Sequence, residues 1–297
     1  MSSRHQYLTD QQWEQIRQHL PTTAGRPGRP FADHRRVLEA IIFRYRTGTP
    51  WRDLPREVFG PWQTACARHR RWAADGTWDR ALALLLAEAD QAGRIDWTVS
   101  VDSTINRAHQ HATNTTRPEK DTTATSAKQD QEPAGHGVSR SRGGLTTKIH
   151  HAVDGAGRPL AVVVTAGQAH DGSTLPVVLA DIRVPRPAAG RPRTTPDAAL
   201  ADKAYSSHQI RAVLAARGIR AVIPERADQQ ANRTRKGSRG GRPRRLDTET
   251  YKRRNVVERS FNLLKQWRGL ATRYDKLAVV YRGAAALAAI VTWLRRS

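Results

Sequence analysis

The stretch DWTVSVDST, residues 96–104, marks the point where the sequence changes from a helical to a strand-like pattern. Its β-branched residues alternate with polar ones and lead to Asp102, which predicts a short strand ending there. Residues 148–167, KIHHAVDGAGRPLAVVVTAG, predict two strands joined by a turn at DGAG. Residues 197–207, DAALADKAYSS, predict a further strand that ends at Asp202.

The rest of this half of the chain adds helices to the strands. Residues 207–218 predict a helix, residues 220–225 a strand, and the segment around Glu258 another helix. Strands therefore come first and are followed by alternating helix, strand and helix. This order predicts an α/β fold with a mixed sheet and covering helices over residues 96–297.

The first part of the chain predicts helices only. Thr9 and Gln12 form a plausible capping box for a first helix. Asp33 can cap a second helix, whose apolar residues recur at helical spacing until Gly48 and Pro50 end it. We therefore expect an all-α region to precede the α/β fold.

Residues 60–93 predict two helices joined by ADGT, with Thr77 capping the second. This is the shape of a helix-turn-helix, and its first helix carries the basic run Arg68–Arg71. We predict that residues 1–95 form a DNA-binding domain. The alternative is an ordinary helical bundle whose arginines are only solvated.

The composition indicates a polyanionic partner. The 297 residues include 50 Lys and Arg against 27 Asp and Glu, a formal charge of +23. Such a surplus points to nucleic acid or an anionic membrane surface. The apolar runs fall short of the ~20 residues that a spanning helix needs, and the N-terminus has no apolar signal segment, which disfavours a membrane. A single cysteine, Cys66, excludes an internal disulfide and fits a reducing cytosol.

Two polar segments interrupt the pattern. Residues 113–141 are rich in Thr, Gln and Ser, and residues 226–245 are basic. Both are expected to be mobile without a partner. The strings GRPGRP (25–30) and GGRPRR (240–245) could be extended arms that enter a DNA groove, although such strings are also common linkers.

Three carboxylates stand out against the basic background. Asp102 and Asp202 end predicted strands, where α/β sheets present functional groups, and Glu258 follows on a helix. Converging carboxylates could hold two Mg²⁺ ions for phosphodiester cleavage or transfer. In the bland alternatives, Glu258 pairs with Arg254 four residues earlier and Asp202 pairs with Lys203.

A charged stripe surrounds Glu258 on its predicted helix. At about 100° per residue, four side chains fall on one face: Tyr251, Arg254, Glu258 and Lys265. The opposite face would pack into the core through Val256, Leu263 and Trp267, with Val257, Phe261 and Leu264 flanking the stripe. The cations would hold DNA phosphates beside the metal ligand.

The spacing of that stripe, Y-(2)-R-(3)-E-(6)-K, is similar to the signature of bacterial insertion-sequence DDE transposases. The blocks VDSTINRAHQHA (101–112), SRGGLTTKIHHAVDGAGRPL (141–160) and LADKAYSS (200–207) resemble the branch typified by insertion sequence five. The N-terminal strings LTDQQWEQIRQHLP (8–21) and FRYRTGTPWRDLP (43–55) resemble it too. The resemblance implies an RNase H-like catalytic core, Mg²⁺ dependence with Mn²⁺ as a substitute, and excision and insertion of the encoding element.

The resemblance also implies roles for particular residues. Asp102, Asp202 and Glu258 would be the catalytic metal ligands. Tyr251, Arg254 and Lys265 would contact or position DNA. Phosphate contacts are also expected from Arg140, Arg142 and Lys148, for which solvated surface positions are the alternative.

The histidines give a weak signal. His109 and His111, and likewise His150 and His151, are close in sequence, but one cysteine and no further ligand cluster at zinc spacing disfavour a zinc site. His170 and Asp171 follow a predicted strand, so they could lie near the active site or merely cap a turn.

Three function classes remain open at this level. The first is a transposase that cleaves the inverted repeats at its element's ends and joins the 3′-hydroxyl to target DNA. The second is a nuclease of the same fold that cuts without joining, and the third is a non-catalytic DNA-binding protein. By analogy we expect at least a homodimer on double-stranded DNA, in the cytoplasm and nucleoid of a bacterium.

Overall fold

The computed structural model describes residues 5–22, 33–114, 132–186 and 190–295. The first part is helical, as predicted: α1 (Asp10–Arg17), α2 (His34–Thr47), α3 (Arg56–Phe59), α4 (Trp62–Ala74) and α5 (Thr77–Gln91). Thr9 and Gln12 form the expected capping box of α1. Asp33 caps α2, and Gly48 ends it with a left-handed backbone, φ 76°.

The α4–α5 pair differs in detail from the prediction. The N-cap of α5 is Gly76, with φ 73°, and Thr77 is the first helical residue. The Asp75 carboxylate accepts hydrogen bonds from the Thr77 amide and hydroxyl, so a left-handed turn sets the start of the helix. Within the basic run, Arg68 and His69 are buried, whereas Arg70 and Arg71 are exposed. Only part of that run can therefore face DNA.

In the described residues, seven strands form one mixed sheet. They are β1 (Thr98–Ala108), β2 (Ser139–Ser141), β3 (Gly144–Val153), β4 (Pro159–Ala166), β5 (Ala198–Leu200), β6 (Arg220–Val222) and β7 (Thr272–Arg273). The strand order is β2-β3-β1-β5-β6, with β4 also paired to β3 and β7 to β1. β3 is antiparallel to β1 and β4, whereas β5 is parallel to β1 and β6. This is the RNase H-like mixed sheet that was expected.

The described residues form further helices, several of which pack against the sheet. They are α6 (Gln110–Thr113), α7 (Asp171–Asp181), α8 (His208–Ala216), α9 (Ala227–Arg235), α10 (Thr248–Lys252), α11 (Asn255–Lys265), α12 (Arg268–Ala271) and α13 (Ala278–Arg295). The sequence patterns predicted α8 and α11 but not α7. The basic segment 226–245 carries α9 and a 3-10 turn at Gly237–Gly240, and its predicted mobility stays a prediction.

One hydrophobic core joins the helical region to the sheet. The central helix of this core is α13. Its Gly283 lies so close to Ala73 and Trp78 that there is no room for a Cβ. The Arg282 guanidinium donates to the Asp79 carboxylate on α5, 2.7 Å away, which ties the two regions electrostatically. The predicted boundary between residues 95 and 96 therefore falls within a shared hydrophobic core. The division of the chain into two separate domains stays a prediction.

In the described part of the chain, α13 is the one helix long and apolar enough to cross a membrane by length and composition. Since 78% of it is buried inside the protein, it has the character of a core helix.

Two segments singled out in the sequence are not fully described. The string GRPGRP lies outside the described residues, as does most of the segment 113–141.

Candidate active site

Two aspartates lie on or just beyond neighbouring strands. β1 and β5 run parallel, with Val99 opposite Ala199 and Ser100 opposite Leu200. Continued by two residues, this register would bring Asp102 and Asp202 to neighbouring positions at the same end of the two strands. That these two aspartates, 100 residues apart in sequence, share one site stays a prediction.

The backbone holds each aspartate differently. Asp202 lies two residues beyond β5 and caps a 3-10 turn, where its Oδ1 accepts from the Ala204 amide at 2.8 Å. Asp102 lies inside β1, which continues for six residues to Ala108, so the prediction that the strand ends at Asp102 was wrong. The strand extends because the ladder to β3 continues from Asp102 opposite His151 to Arg107 opposite Thr146. Between Asp202 and Lys203, both of which are described, there is no ion pair.

Arg254 links the third carboxylate to the first. Its Nη1 donates to Asp102 Oδ2 at 2.8 Å, and its Nη2 donates to Glu258 Oε1 at 3.1 Å. The side chains of Asp102 and Arg254 are each 19% exposed, and that of Glu258 is 49% exposed. Glu258 does pair with Arg254, as the bland alternative proposed, but the same guanidinium also reaches the strand carboxylate. The pair therefore belongs to a cluster rather than to a solvated helix face.

Burial acts on the protonation of Asp102. It raises the pKa of that carboxyl above its ordinary value, even though hydrogen bonds from the Ser103 amide and Arg254 favour the charged form. Nearby Glu258 adds to the rise. Asp102 is thus a carboxylate that would gain from a further positive charge beside it.

The donor chemistry fits a hard divalent cation. All three side chains offer carboxylate oxygens, which Mg²⁺ prefers, and one guanidinium already supplies positive charge to two of them. Among residues 5–22, 33–114, 132–186 and 190–295, no group of three or more His, Cys, Asp or Glu side chains is close enough to hold a metal ion. The Arg254 guanidinium lies between Asp102 and Glu258, so a cation that bound both carboxylates would have to displace it.

The charged stripe is split between two helices. A turn at Arg253 and Arg254 separates α10 from α11, so Tyr251 lies on a short helix of its own. Tyr251 packs with Leu246 against a small cluster made of Ala198, Leu200 and Val222. Lys265 is exposed in the last turn of α11.

The buried face of α11 is also shifted from the prediction. Val257, Phe261 and Leu264 are buried rather than flanking, whereas Leu263 is only half-buried. Val256 and Trp267 are buried as expected.

A second polar cluster lies on the other face of β1. Asp171 Oδ1 accepts from Ser103 Oγ at 2.7 Å and from Lys148 Nζ at 3.0 Å. Burial alone would raise the pKa of Asp171, but these two hydrogen bonds, together with the charges of Lys148 and His150, outweigh it and lower the pKa. Lys148 is buried and also donates to the Ala169 carbonyl at 2.8 Å, so its charge is used inside the protein.

Tyr205 is a site residue that the sequence analysis did not identify. Its ring is buried, and its hydroxyl has no hydrogen-bond partner. Burial raises the pKa of Tyr205, and the charges of three aspartates raise it further: Asp171, Asp102 and Asp202. The phenol therefore lies between the two polar clusters. Its place three residues after Asp202, on the same turn, was the signal available in the sequence.

The other predicted residues lie elsewhere. Arg140 and Arg142 are exposed at the turn between β2 and β3. His150 and His151 are buried in the core, where burial lowers the pKa of His150 to about 4 and that of His151 to about 3. The rings of His109 and His111 stand 4.6 Å apart, outside any cluster of metal-binding side chains in the described residues.

Comparison with known families decides the assignment. The family model "Transposase DDE domain" matches residues 94–293, two thirds of the chain, and "Putative transposase of IS4/5 family" matches residues 8–82. The chain belongs to the DDE-domain transposases.

Individual relatives agree with this membership. An uncharacterized protein of Sinorhizobium fredii is 43% identical over 35% of this chain and 79% of its own length. The "Putative transposase for insertion sequence element IS6501" of Brucella ovis is 29% identical over 51% of this chain and all of its own length. Its counterpart for IS402 of Burkholderia cepacia is 32% identical over 48% of this chain and 60% of its own length. No solved structure matches the chain.

Proposed function

We propose that this transposase cleaves double-stranded DNA at the ends of its own insertion sequence and then joins the liberated 3′-hydroxyl to target DNA. One observation carries the proposal. The Arg254 guanidinium connects Asp102 on β1 to Glu258 on α11, and Asp202 lies two residues beyond β5, the strand that runs parallel to β1. In this proposal the three carboxylates form one site.

In this proposal, Asp102, Asp202 and Glu258 hold Mg²⁺, for which Mn²⁺ would substitute. The bound ions would activate the attacking oxygen and stabilise the leaving oxygen of an in-line displacement. Asp102 and Asp202 are fixed by backbone amides, from Ser103 and Ala204 respectively, so their carboxylates are oriented before any ligand arrives. Glu258 is half exposed on α11 and completes the set from the solvent side.

Arg254 would change partners during the reaction. It neutralises two carboxylates now, and once they bind a cation its five N–H donors would be released toward a phosphate oxygen. An arginine in that position stabilises charge that develops on the phosphoryl group. Lys265 on α11 and Tyr251 on α10 would each contact DNA, with Arg140 and Arg142 as exposed contacts near the β2–β3 turn. Two element ends would be brought together by a homodimer.

The test is incubation of purified protein with labelled duplexes that carry the ends of its element, with Mg²⁺ or EDTA. Wild type and Glu258→Gln are compared on a denaturing gel. We expect metal-dependent cleavage followed by joined products, both lost in the variant. Cleavage without any joined product would instead establish a nuclease, and binding without cleavage under either Mg²⁺ or Mn²⁺ would refute the catalytic proposal.

A further inference from the structure

A cation-lined cavity opens next to the turn that carries Asp202. It has a volume of about 560 Å³, and α8, α9 and residues 240–244 surround it. Ser206, four residues after Asp202, forms part of the wall. The Gln229 amide donates to the Ser206 carbonyl at 3.2 Å, which joins α9 to the active-site turn. The cavity is therefore attached to the site already described, yet none of the three carboxylates lines it.

The charge in this cavity is strongly one-sided. Its walls carry one carboxylate, Glu225, and five basic side chains: Arg211, Arg233, Lys236, Arg242 and Arg244. Without histidine, the lining thus has four positive charges in excess. Glu225 is nearly saturated, because Arg233 donates to it at 2.8 Å and Arg244 stands 3.9 Å away. Lys236 and Arg242 are exposed and have no ion-pair partner among the described residues.

The basic walls are held in place by the fold. Arg211 is half-buried on α8 and donates to the Ile223 carbonyl at 2.7 Å, just beyond β6. Glu225 and Arg233 form a two-pronged pair that fixes α9 against the end of the same strand. Like charges gathered in a concave site repel one another, and such a cost is offset when an anion binds between them.

We propose that this cavity binds backbone phosphates of the double-stranded DNA whose reacting bond lies at Asp102, Asp202 and Glu258. The inference rests on the proposed function and names a DNA subsite for it. The size favours a run of phosphates over a single small anion, because the basic side chains line a cavity that is open along one side. Phosphate contacts of this kind fix the register of the duplex and read no sequence.

The decisive measurement is DNA affinity as a function of salt, in EDTA so that no cleavage occurs. Arg242→Ala/Arg244→Ala removes two exposed cations of the cavity. The matched control is Arg183→Ala/Arg186→Ala. It removes the same charge from exposed positions that come before β5 in the sequence, whereas Asp202 comes after that strand. Fluorescence anisotropy with a labelled duplex gives Kd between 50 and 200 mM salt.

Each phosphate contact contributes about 0.9 to the slope of log affinity against log salt. We expect the cavity variant to lower the slope by about 1.8, so that wild type loses roughly twelvefold more affinity than the variant over this fourfold salt range. The control variant should keep the wild-type slope. An unchanged slope in the cavity variant, or an equal loss in the control, would overturn the proposal.

The two proposals fail in different ways. Because binding is measured without metal, a normal salt slope in the cavity variant refutes the DNA subsite even if Glu258→Gln abolishes cleavage. Conversely, a reduced slope supports the subsite even if the protein cuts nothing.

Discussion

Two arginine–carboxylate pairs, Asp154 with Arg158 and Asp102 with Arg254, differ in how many hydrogen bonds the carboxylate accepts. At the β3–β4 turn, Asp154 is fully buried and accepts from the amides of Ala156 and Arg158 and twice from the Arg158 guanidinium. Asp102 on β1 accepts from one amide and one guanidinium and stays partly exposed. The first pair is closed to any ligand, whereas the second can accept another cation.

This difference distinguishes an ion pair that only stabilises the fold from one whose carboxylate can also bind a ligand. The sequence offered DGAG at 154–157 only as a hairpin turn, which the structure confirms. A buried charge whose partners are all supplied by the fold stabilises one conformation, because removing either partner leaves an uncompensated charge. A carboxylate with capacity left over, beside a second and third carboxylate, can bind something that the chain does not contain.

The largest expected effect comes from exchanging the two aspartates for neutral residues. Asp102→Asn should lower the cleavage rate by about 10⁴-fold or more, the scale found when one member of a catalytic unit is lost. Asp154→Asn should instead lower the free energy of unfolding by about 3–5 kcal/mol, because Arg158 is left buried and unpaired. Cleavage gels and denaturant titrations measure the two quantities.

Each aspartate variant serves as the control for the other. Asp102→Asn should unfold at nearly the wild-type denaturant concentration, since its side chain is less enclosed. If Asp102→Asn unfolded as readily as Asp154→Asn, the comparison would break down and Asp102 would be a structural residue.

Arg254→Gln should produce effects of opposite sign on metal and on rate. Removing a cation about 3 Å from two carboxylates should tighten Mn²⁺ binding by roughly 1 kcal/mol, about fivefold. The cleavage rate should nevertheless fall by about 10²–10³-fold, because a donor to the reacting phosphate is lost. Calorimetric titration with Mn²⁺ and single-turnover cleavage test the two parts. Weaker Mn²⁺ binding would show that Arg254 organises the carboxylates rather than competing for them.

The sequence predicted those features that depend on local chemistry. The caps at Thr9 and Asp33 are decided within four residues, and the hairpin of β3 and β4 by its turn. The nearness of Asp102 to Asp202 was inferred from the ends of two predicted strands and stays a prediction, because β1 continues past Asp102. Its continuation needs β3, a partner that lies 40 residues away, so no local pattern could indicate it.

Other features depend on contacts that no spacing encodes. Arg254 reaches Asp102 across 152 residues of sequence, and Lys148 turns inward to Asp171 rather than outward to phosphate. The break between α10 and α11 has no proline or glycine to announce it. Tertiary contacts determine where these side chains lie and where the helix is interrupted. The catalytic roles of the three carboxylates stay predictions from the sequence pattern.

Acid should destabilise the protein through its buried histidines. Burial lowers the pKa of His69 and His150 to about 4 and that of His151 to about 3, against an ordinary 6.5. Between pH 6.5 and the folded-state values, the unfolded chain binds protons that the folded protein does not, so stability falls as pH falls. Each histidine contributes a slope of up to about 1.4 kcal/mol per pH unit.

His151→Leu isolates one of these contributions. Urea titrations at pH 6.0, 5.5 and 5.0 should show a slope smaller than that of wild type by about 1.4 kcal/mol per pH unit. An unchanged slope for His151→Leu would mean that His151 is already protonated in the folded protein, and the ion pairs rather than the histidines would govern acid sensitivity.

The smallest expected effect on stability concerns Tyr205, on which the charges of both Asp102 and Asp171 act. Its hydroxyl is buried without a partner, so Tyr205→Phe removes a group that the folded protein does not use, and the free energy of unfolding should change by less than about 1 kcal/mol. A buried polar group left unpaired in the free protein needs a partner in some other state. We therefore expect the cleavage rate of Tyr205→Phe to fall about tenfold, the effect of one lost hydrogen bond. Denaturant titration and single-turnover cleavage separate the two, and a wild-type cleavage rate would place Tyr205 with the structural residues instead.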